Sequence, residues 1–432
     1  MTNPTAPVYK PLKHYAAWML IGRVSGSVLQ AVYYVLLARL LGVSEYGIFA
    51  GAFALVSTLT PYSALGAAML FMRYLAVDRT EAAKYWGNSL ITASGFTLVA
   101  VLGVGMISFW HGKMAHLSMI IVLLIANCLF LQITTLGSML SFALGNPRSS
   151  AWMNLLANLC RLLVLIAMKF MMTHADAFQW SLGVLAGSGV AAVVVLYQVH
   201  LTIGPVRYDL RLLRQRALEG FGFSFAGTTD AVYNDLDKIM LSHYGMNVEN
   251  GFYTLAYRII DFATSPIVAL NAAVMQRHFV QSGSGVRPML RLTFKSLAVS
   301  TLLGVAIALG IQTLSFLLPR IAGRDFSGAI QVLKFLCVLP LIRGIHQTCG
   351  SALTGAGHQN WRTSAQCTVA LLNFGLNWAW IPRLGWVGAA WATLASDGSL
   401  AVLNALLLFL LVRMLFQSEP NCRQQPLIHE GK

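Results

Sequence analysis

Between Phe221 and Val280, a stretch that is otherwise strongly apolar, six Asp, Lys and Arg side chains lie within the apolar runs, apart from Glu249 in the connector and Arg277 near the end of the second run. They are Asp230, Asp235, Asp237, Lys238, Arg258 and Asp261. The stretch holds two apolar runs on either side of a connector at 246–250, and each is long enough for a membrane-spanning helix of about 20 residues. Ionisable groups at membrane depth are costly, so they face a bundle interior or a water-filled cavity. We therefore expect this pair of helices to line a cavity.

Asp230 is the first candidate for ion coupling in this stretch. It lies about midway along its apolar run, and no basic residue falls within one helical turn of it. A buried carboxylate without a partner binds a proton or a cation, so H⁺ or Na⁺ is the expected coupling ion. Asp237 and Asp261 are the next candidates. The alternative is a structural bond between Asp230 and Arg23 or Arg161.

Arginines at membrane depth supply fixed positive charge. An arginine fork binds two phosphate oxygens and does not lose its proton, so anionic phosphate is the ligand that these side chains suit. In the first apolar run a cation, a hydroxyl, an amide and a phenol recur at spacings of four, three and four residues, which places them on one helix face. The candidate substrate-binding residues are Arg23, Ser27, Gln30, Tyr34, Asn234, Arg258, Arg161 and Arg343.

Each of these cations also has a structural alternative. Arg258 and Asp261 are three residues apart and would neutralise one another on a helix. Arg161 and Arg343 would serve equally well as partners of remote acids such as Asp397. The Arg23 side chain is long enough to extend to the membrane interface.

The elements that must position these residues are membrane helices. The chain has 432 residues, of which 57% are hydrophobic and only 10% are charged, against about 25% charged in soluble domains. We expect an all-α polytopic membrane protein. The net charge of +15 does not indicate nucleic-acid binding, because no soluble domain remains to carry a basic groove.

The hydropathy pattern predicts about twelve spans, six on each side of a basic link. The least secure of them, 361–381, is short and is expected to end at Pro382. The predicted spans are 16–41, 46–75, 86–110, 117–144, 149–172, 178–202, 219–244, 251–279, 291–318, 327–355, 361–381 and 386–416.

This pattern divides the chain into two six-helix lobes, one on each side of the link. The predicted segments are an N-terminal tail at 1–15, an N-lobe at 16–202, a basic linker at 203–218, a C-lobe at 219–416 and a C-terminal tail at 417–432. Most loop Lys and Arg residues then fall on the side that holds both termini and the linker. The positive-inside rule makes that side cytoplasmic.

The two predicted lobes share spacings that suggest an internal repeat. Gly47 and Arg73 are 26 residues apart, and so are Gly251 and Arg277. A proline interrupts each of these segments, and we expect Pro61 and Pro266 to act as gating hinges. With six helices in each lobe, both lobes enter the membrane from the same face, as in parallel repeats with a binding site between them.

Motifs for other chemistry are absent from the sequence. The six cysteines include no CxxC pair, and five of them lie in apolar runs, which suits small packing residues. No metal-ligand cluster, phosphate-binding glycine loop or nucleophile motif occurs. We expect no catalytic residues, no metal and no cofactor, and therefore no enzyme.

Three segments resemble polysaccharide and O-antigen flippases of the MOP exporter superfamily, which includes the MATE transporters. They are ARLLGVSEYGIFAGAFALVSTLTPYSALGAAMLFMRYL, NDLDKIMLSHYG with NGFYTLAYRI, and LNFGLNWAWIPRLGWVGAAWATLAS. The resemblance covers about residues 16–415. It implies two six-helix lobes around a central cavity that opens to one face at a time. It also implies a flippase of the bacterial inner membrane that moves undecaprenyl-diphosphate-linked oligosaccharides from the cytoplasmic to the periplasmic leaflet. The implied partners are membrane lipids, a polysaccharide polymerase and a chain-length regulator.

Three other functions stay open at this point. A drug/cation antiporter of the same superfamily needs an acidic cavity, whereas the intramembrane arginines favour anions. An O-antigen polymerase or ligase needs a large periplasmic loop, and no predicted outer link exceeds about ten residues. A lipid-II-type flippase would be expected to have a further pair of spans.

Overall fold

The structure, a computed structural model, describes residues 12–75, 78–111, 116–281 and 286–418. The side chains of 12–24, 111, 276, 279–281, 286–287 and 415–418 fall outside this description. The described backbone is helical, with short connections. This confirms the all-α class, and the chain is a multi-pass membrane protein.

The described part of the first half of the chain contains seven α-helices. Two π-helical turns interrupt them, Phe71–Leu75 after the second helix and Ile125–Leu131 between the fourth and fifth. The helices are α1 (Leu12–Ser63), α2 (Ala67–Leu70), α3 (Ala82–His111), α4 (Leu117–Leu124), α5 (Gln132–Ala143), α6 (Pro147–Met171) and α7 (Ala177–Ile203).

In the second half, eight α-helices lie within the residues that the structure describes. Two 3₁₀ turns, Ser315–Leu317 and Arg324–Gly328, flank the short fourth helix of this half. The helices are α8 (Leu210–His243), α9 (Asn247–Gln281), α10 (Val286–Leu314), α11 (Leu318–Ala322), α12 (Ala329–Phe335), α13 (Leu339–Gly355), α14 (Gln359–Leu384) and α15 (Trp386–Ser418).

Two backbone breaks shape α1 and the segment after it. Gly42 has φ 71° and ψ 176°, so the helix direction changes there, between the predicted spans 16–41 and 46–75. Leu65 and Gly66 have φ values of 46° and 65°. Positive φ is uncommon outside glycine and breaks the helix. The helix predicted over 46–75, with an interruption at Pro61, is therefore broken at Leu65 and Gly66 instead.

Two other boundaries differ from the sequence prediction. Residues 210–218, predicted as part of the linker, form the first turns of α8, where the Asp209 carboxylate caps the helix by accepting the Leu212 N–H at 3.0 Å. α14 continues through Pro382 to Leu384 instead of ending before the proline. Membrane helices tolerate proline because the freed carbonyl can find other donors.

Length and composition identify eight helices in the described chain that can cross a membrane. The number is nine if the bent pair 324–335 and 339–355 forms one span. The predicted count of twelve is therefore not reached by these criteria alone. α8 and α14 are the long helices that fall below them.

The described chain forms two compact units. The first comprises residues up to Ile259 with Phe316–Val332 and Asn377–Ala389. Within it, α1 packs against α6 and α8, and a buried apolar core includes Phe71, Trp86 and Leu136. This unit holds most of the predicted substrate-binding residues.

The second unit comprises Ile260–Ser315, Leu333–Leu376 and the chain from Ala390. Here α10 lies so close to α13 that a methyl group on Gly304 would meet the Leu341 backbone at 2.6 Å. The Thr348 hydroxyl lies 2.8 Å from Asn271 Oδ1 and 2.7 Å from the Gly344 carbonyl. The interior of this unit is therefore partly polar.

Candidate functional site

A cleft of about 580 Å³, counting space open to solvent, lies within the first unit. Helices α1, α6 and α9 line it. Its wall combines two cations with two amides, a threonine, an alanine and five aromatic rings. The lining residues are Gln30, Tyr33, Tyr34, Tyr46, Phe49, Ala50, Phe53, Asn158, Arg161, Thr254 and Arg258.

The two cations of the cleft come from different helices. Arg258 of α9 lies over the Tyr34 ring, with its guanidinium carbon 4.9 Å from the ring centroid. This is a cation–π contact. Arg161 of α6 has Nε and Nη2 buried without a hydrogen-bond partner among the described residues. Because guanidinium donors need acceptors when buried, this end of the cleft suits an anion.

Aromatic rings of α1 form part of the cleft wall. Tyr33 packs on Tyr34 with ring centroids 5.1 Å apart, and Phe49 lies 5.7 Å from Phe53. The Tyr46 hydroxyl is buried and has no hydrogen-bond partner within the described part of the chain. Each tyrosine ring offers an apolar face for stacking and a hydroxyl for hydrogen bonding. Such a surface suits a ligand that has both apolar faces and polar groups.

Four predicted substrate-binding residues meet in this cleft: Gln30, Tyr34, Arg161 and Arg258. Gln30 Nε2 also donates to the Tyr34 hydroxyl at 3.4 Å. Ser27 and Asn234 do not line the cleft, and the Asn234 amide donates to the Asp230 carbonyl at 2.8 Å.

Arg23 falls within α1, but its side chain lies outside the described residues. The predicted roles of Arg23, Ser27 and Asn234 in substrate binding stay predictions.

The predicted residue Arg343 lies in the second unit, in an ion-paired cluster. Its Nη1 is 2.8 Å from Asp261 Oδ1 and its Nε is 3.1 Å from Asp397 Oδ2. The Asp397 side chain is 3% exposed and that of Asp261 is 37% exposed. The pairing with Asp397 that the sequence analysis considered is present, and the predicted contact of Arg343 with substrate stays a prediction. Asp261 likewise pairs with Arg343 here.

Asp237 lies in a buried charge cluster on α8. Its Oδ1 accepts the Lys238 N–H at 2.8 Å and lies 3.2 Å from Lys238 Nζ, while Oδ2 accepts the Tyr253 hydroxyl at 2.6 Å. Lys238 is only 1% exposed and packs over the Tyr257 ring. Asp235 completes the cluster at 3.2 Å from Lys238 Nζ.

Asp230, in contrast, is exposed on α8. The expectation of a buried carboxylate at this position is therefore wrong, because the helix turns this side chain away from its packed face. Its role in ion coupling stays a prediction.

The two predicted hinges have different surroundings. Pro61 lies two residues before the end of α1, and its carbonyl accepts the Ser224 hydroxyl of α8 at 2.9 Å. Pro266 lies inside α9, which continues to Gln281. A backbone break therefore follows Pro61 at Leu65 and Gly66, and the hinge roles themselves stay predictions.

Residues 12–276 match a family whose members are described as polysaccharide biosynthesis proteins. The match covers more than half of the chain.

The chain belongs to the polysaccharide biosynthesis protein family.

Solved structures of MOP superfamily transporters share the fold of this polysaccharide biosynthesis protein. An inward-facing multidrug-resistance MATE transporter superposes with a TM-score of 0.73 at 13% identity, covering 91% of this chain and 96% of that one. An outward-facing MATE transporter gives a TM-score of 0.62 at 15% identity, covering 93% and 95%.

A MOP superfamily transporter from Pyrococcus furiosus gives a TM-score of 0.61 at 15% identity, covering 93% and 95%. Its binding pocket is described as having reverse polarity that suggests a different function. These neighbours are transporters and not enzymes, as the sequence analysis expected. No curated protein sequence matches the chain significantly.

Sequence reasoning missed Tyr33, Tyr46, Phe49, Phe53 and Asn158 as lining residues of the cleft. A signal for part of this set was present. Tyr46, Phe49 and Phe53 are separated by three and four residues, which places them on one helix face. In an apolar span such a stripe also suits lipid contact or core packing, so the spacing alone does not distinguish a cavity wall.

Within the described ranges, no group of three His, Cys, Asp or Glu residues is arranged to hold a metal ion.

Proposed function

We propose that this family member is a flippase for undecaprenyl-diphosphate-linked oligosaccharide repeat units. It moves them from the cytoplasmic to the periplasmic leaflet by alternating access, coupled to an ion gradient. The observation that carries the proposal is the cleft that combines Arg161 and Arg258 with an aromatic and amide wall. The transported units belong to O-antigen, capsule or exopolysaccharide. The protein is proposed to lie in the bacterial inner membrane.

The chemistry of the cleft matches the three parts of such a substrate. Two guanidinium groups suit a diphosphate, because planar forks bind phosphate oxygens in pairs. Aromatic faces and amides suit the glycan. The polyprenyl tail stays in lipid, so the desolvation cost of moving the polar headgroup is confined to the cleft.

A drug/cation antiporter is the second candidate, because the MATE structures that share the fold include multidrug-resistance transporters. A cavity for cationic drugs needs acidic side chains. The residues that line the described cleft include two arginines and neither aspartate nor glutamate. This charge balance favours the anionic substrate.

Transport into proteoliposomes decides between the two candidates. The full-length protein is reconstituted and tested with a fluorescent lipid-linked oligosaccharide and, separately, with a cationic dye. Flipping of the lipid-linked sugar without dye uptake supports the proposal. Dye uptake without sugar flipping contradicts it, and so does a deletion strain that neither loses surface polysaccharide nor accumulates lipid-linked repeat units.

We also propose that the chain makes twelve spans in two six-helix lobes, 16–202 and 219–416. Four features support the higher count. The Gly42 break divides α1 into two spans, the bent pair α12–α13 makes one, and α8 and α14 are long enough to cross although charge and amides lower their hydropathy.

The proposed topology places both termini and the 203–218 linker in the cytoplasm. Two exposed arginines, Arg211 and Arg324, then lie on opposite faces of the membrane. Single cysteines at these positions, in a cysteine-free background, are labelled with an impermeant maleimide in whole cells. Labelling of R324C but not R211C is the expected result, and the reverse pattern contradicts the topology.

A polysaccharide polymerase and a chain-length regulator are the proposed partners.

A further inference from the structure

A second pocket of the first unit lies between α2, α3 and the start of α8, and it shares no lining residue with the cleft. Its volume is about 330 Å³, counting space open to solvent. Aliphatic side chains such as Leu70, Leu212 and Leu213 make up most of its lining, together with one cation, Arg216. The described residues that line this pocket include neither aspartate nor glutamate. The pocket therefore combines an aliphatic wall with a single positive charge.

The backbone explains why Arg216 faces this pocket. The chain breaks at Leu65 and Gly66, and α8 packs so closely on the break that a methyl group on Gly220 would collide with the Leu65 carbonyl. Leu213, Arg216 and Gly220 are separated by three and four residues, which places them on one face of α8. Because Gly220 contacts the break, the same face turns Arg216 toward α2 and α3.

Arg216 is only partly satisfied within the protein. Its Nη1 donates to the Tyr74 hydroxyl at 2.8 Å, and its guanidinium carbon lies 3.9 Å from the centre of the Tyr74 ring. Its Nε is buried and has no hydrogen-bond partner among the described residues. Buried donors need acceptors, so a ligand with acceptor oxygens that enters the pocket would meet an unpaired N–H group.

The carboxylate of Glu219 pairs with a different arginine. Its Oε1 lies 2.6 Å from Arg73 Nη1, and its Oε2 accepts the Tyr74 hydroxyl at 2.7 Å. Arg216 is linked to Glu219 only through this hydroxyl, and in the described part of the chain it forms no ion pair. A partly buried charge without a counter-charge is costly, so the guanidinium group of Arg216 suits an anionic ligand.

The start of α8 has the composition of a segment at a membrane surface. Arg211 and Arg214 are exposed, and Tyr208 and Leu210 beside them are 63% and 66% exposed. Exposed apolar side chains next to arginines are typical of the boundary between headgroups and hydrocarbon. Arg216 lies six residues beyond Leu210, which is about 9 Å along a helix. This depth suits the level at which lipid phosphates meet acyl chains.

Charge complementarity favours an anionic lipid over a zwitterionic one. The segments 73–84 and 207–219, which contact each other around the pocket, contain seven Lys and Arg residues and four Asp and Glu residues. The local field is therefore positive. Basic pockets between membrane helices on the cytoplasmic side bind anionic lipid headgroups, and the aliphatic wall adds a surface for the first carbons of an acyl chain.

We propose that Arg216 binds the phosphate of an anionic membrane phospholipid, with the start of one acyl chain in the pocket between α2, α3 and α8. The exposed Arg211 and Arg214 contribute a general attraction, whereas Arg216 makes the specific contact. The site lies in the cytoplasmic leaflet. This assignment of the leaflet depends on the proposed topology, and the site does not depend on which substrate the protein transports.

Native mass spectrometry of the full-length protein in detergent tests the site. The protein is titrated with phosphatidylglycerol and, separately, with phosphatidylcholine that has the same acyl chains. We expect a tightly bound phosphatidylglycerol and weaker binding of phosphatidylcholine. R216Q should weaken phosphatidylglycerol binding roughly tenfold, because charge-assisted hydrogen bonds are lost. Wild-type affinity in R216Q overturns the proposal, and so does equal binding of the two lipids.

R214Q is the matched control for R216Q. It removes the same charge two residues away on the same helix, from an exposed side chain that does not line the pocket. Exposed charges contribute little, so we expect R214Q to change the affinity about twofold at most. If R214Q and R216Q weaken binding equally, the lipid is attracted by the basic surface as a whole and the pocket site is wrong.

Y74F separates loss of the ligand contact from loss of an internal hydrogen bond. It removes the hydroxyl that links Arg216 to Glu219 and keeps the ring beside the guanidinium group. Y74F should therefore bind phosphatidylglycerol as the wild-type protein does, and R216K should bind with intermediate affinity because its charge remains while the fork is lost. A loss of binding in Y74F as large as that in R216Q would show that Arg216 acts only through the internal bond.

Photocrosslinking of the wild-type protein keeps the proposal testable if R216Q folds poorly. A phosphatidylglycerol with a photoreactive group on its first acyl carbons should label peptides 64–70 and 85–92. Unlabelled phosphatidylglycerol should prevent this labelling, whereas phosphatidylcholine should not. Absence of labelling in these peptides overturns the proposal.

Two competitors distinguish the phospholipid from other phosphate ligands. If inorganic phosphate prevents the labelling as well as phosphatidylglycerol does, the pocket binds a free anion. If undecaprenyl diphosphate prevents it at lower concentration, the pocket belongs to the path of the transported lipid. Either result contradicts the proposal. Because none of these measurements uses sugar transport, failure of transport would count against the proposed function and not against this site.

Discussion

Glu45 and Glu249 hold the starts of two helices by the same contact. Glu45 Oε2 accepts the backbone N–H of Ala177, the first residue of α7, at 2.8 Å. Glu249 Oε2 accepts the N–H of Trp386, the first residue of α15, at 2.7 Å. In each case a carboxylate satisfies an unpaired donor at the positive end of a long helix.

The backbone around these glutamates is also matched. Gly42 and Gly245, a few residues before them, have φ values of 71° and 72°. α7 is the last helix before the predicted linker, and α15 is the last helix that the structure describes, ending at Ser418. These are the correspondences that an internal repeat of two halves would produce, and they extend the matched spacing of glycine, proline and arginine seen in the sequence.

Removal of either glutamate should destabilise the protein by a similar amount. We expect E45A and E249A each to lower the free energy of unfolding by about 1 kcal/mol, because a helix-start donor loses its acceptor. E45Q and E249Q should cost less, since the amide oxygen still accepts. Thermal unfolding in detergent measures the effect. If E45A and E249A unfold at the same temperature as the wild-type protein, the carboxylate contacts contribute nothing to stability.

Truncation of the cleft arginines should weaken binding without reducing membrane abundance. R161A and R258A each remove charge-assisted hydrogen bonds to phosphate, which corresponds to roughly a ten- to hundredfold loss of affinity for a lipid diphosphate. R161K and R258K should rescue partly, because charge remains but the fork is lost. Binding is measured on the purified protein. The matched control is K169A, an exposed position on the same helix as Arg161. Full affinity in both alanine variants would contradict the assignment of the cleft.

The Arg343 cluster should behave as a structural unit. Loss of Arg343 takes the cation away from the buried Asp397 carboxylate, at a cost of about 3–5 kcal/mol, and loss of Asp397 leaves the Arg343 charge balanced by the half-exposed Asp261. We expect R343Q and D397N each to reduce folded protein in the membrane, whereas the double variant R343Q/D397N should lose less than the sum of the two. Fluorescence-detected size-exclusion chromatography measures this loss, with the exposed R383Q as control. Strict additivity would show that the pair is not coupled.

Glycines between α1 and α9 should tolerate no side chain. A methyl group on Gly47 would collide with the Asn247 carbonyl, and one on Gly251 would collide with the Val43 carbonyl. Backbone atoms cannot rotate away, so we expect G47A and G251A to destabilise by about 1–3 kcal/mol. G95A on α3, where the space is open, should be neutral or slightly stabilising. Thermal unfolding in detergent measures all three. If G47A is as stable as the wild-type protein, α1 and α9 can move apart at Gly47 without loss of stability, which contradicts the prediction.

The amino-acid sequence by itself determined the class of this protein and much of its helix pattern. Long apolar runs with few charges permit little else than membrane helices, because unpaired backbone groups cannot be left in lipid. It also identified Arg161 and Arg258 as charges at membrane depth, and Gln30 and Tyr34 as neighbours on one helix face. Local spacing carries that information, since helix periodicity is fixed.

Only the tertiary structure decided which charges share a site. Arg343 and Asp397 are 54 residues apart, and Ser57 and Asp235 are 178 apart, so no local spacing relates them. Asp230 likewise lies on the exposed face of α8. Asn158 of α6 and Arg258 of α9 line the same cleft. The physical reason is that the pairing of buried charges depends on which helix faces pack together. That packing is fixed by close contacts such as those at Gly47 and Gly251, between segments far apart in the chain.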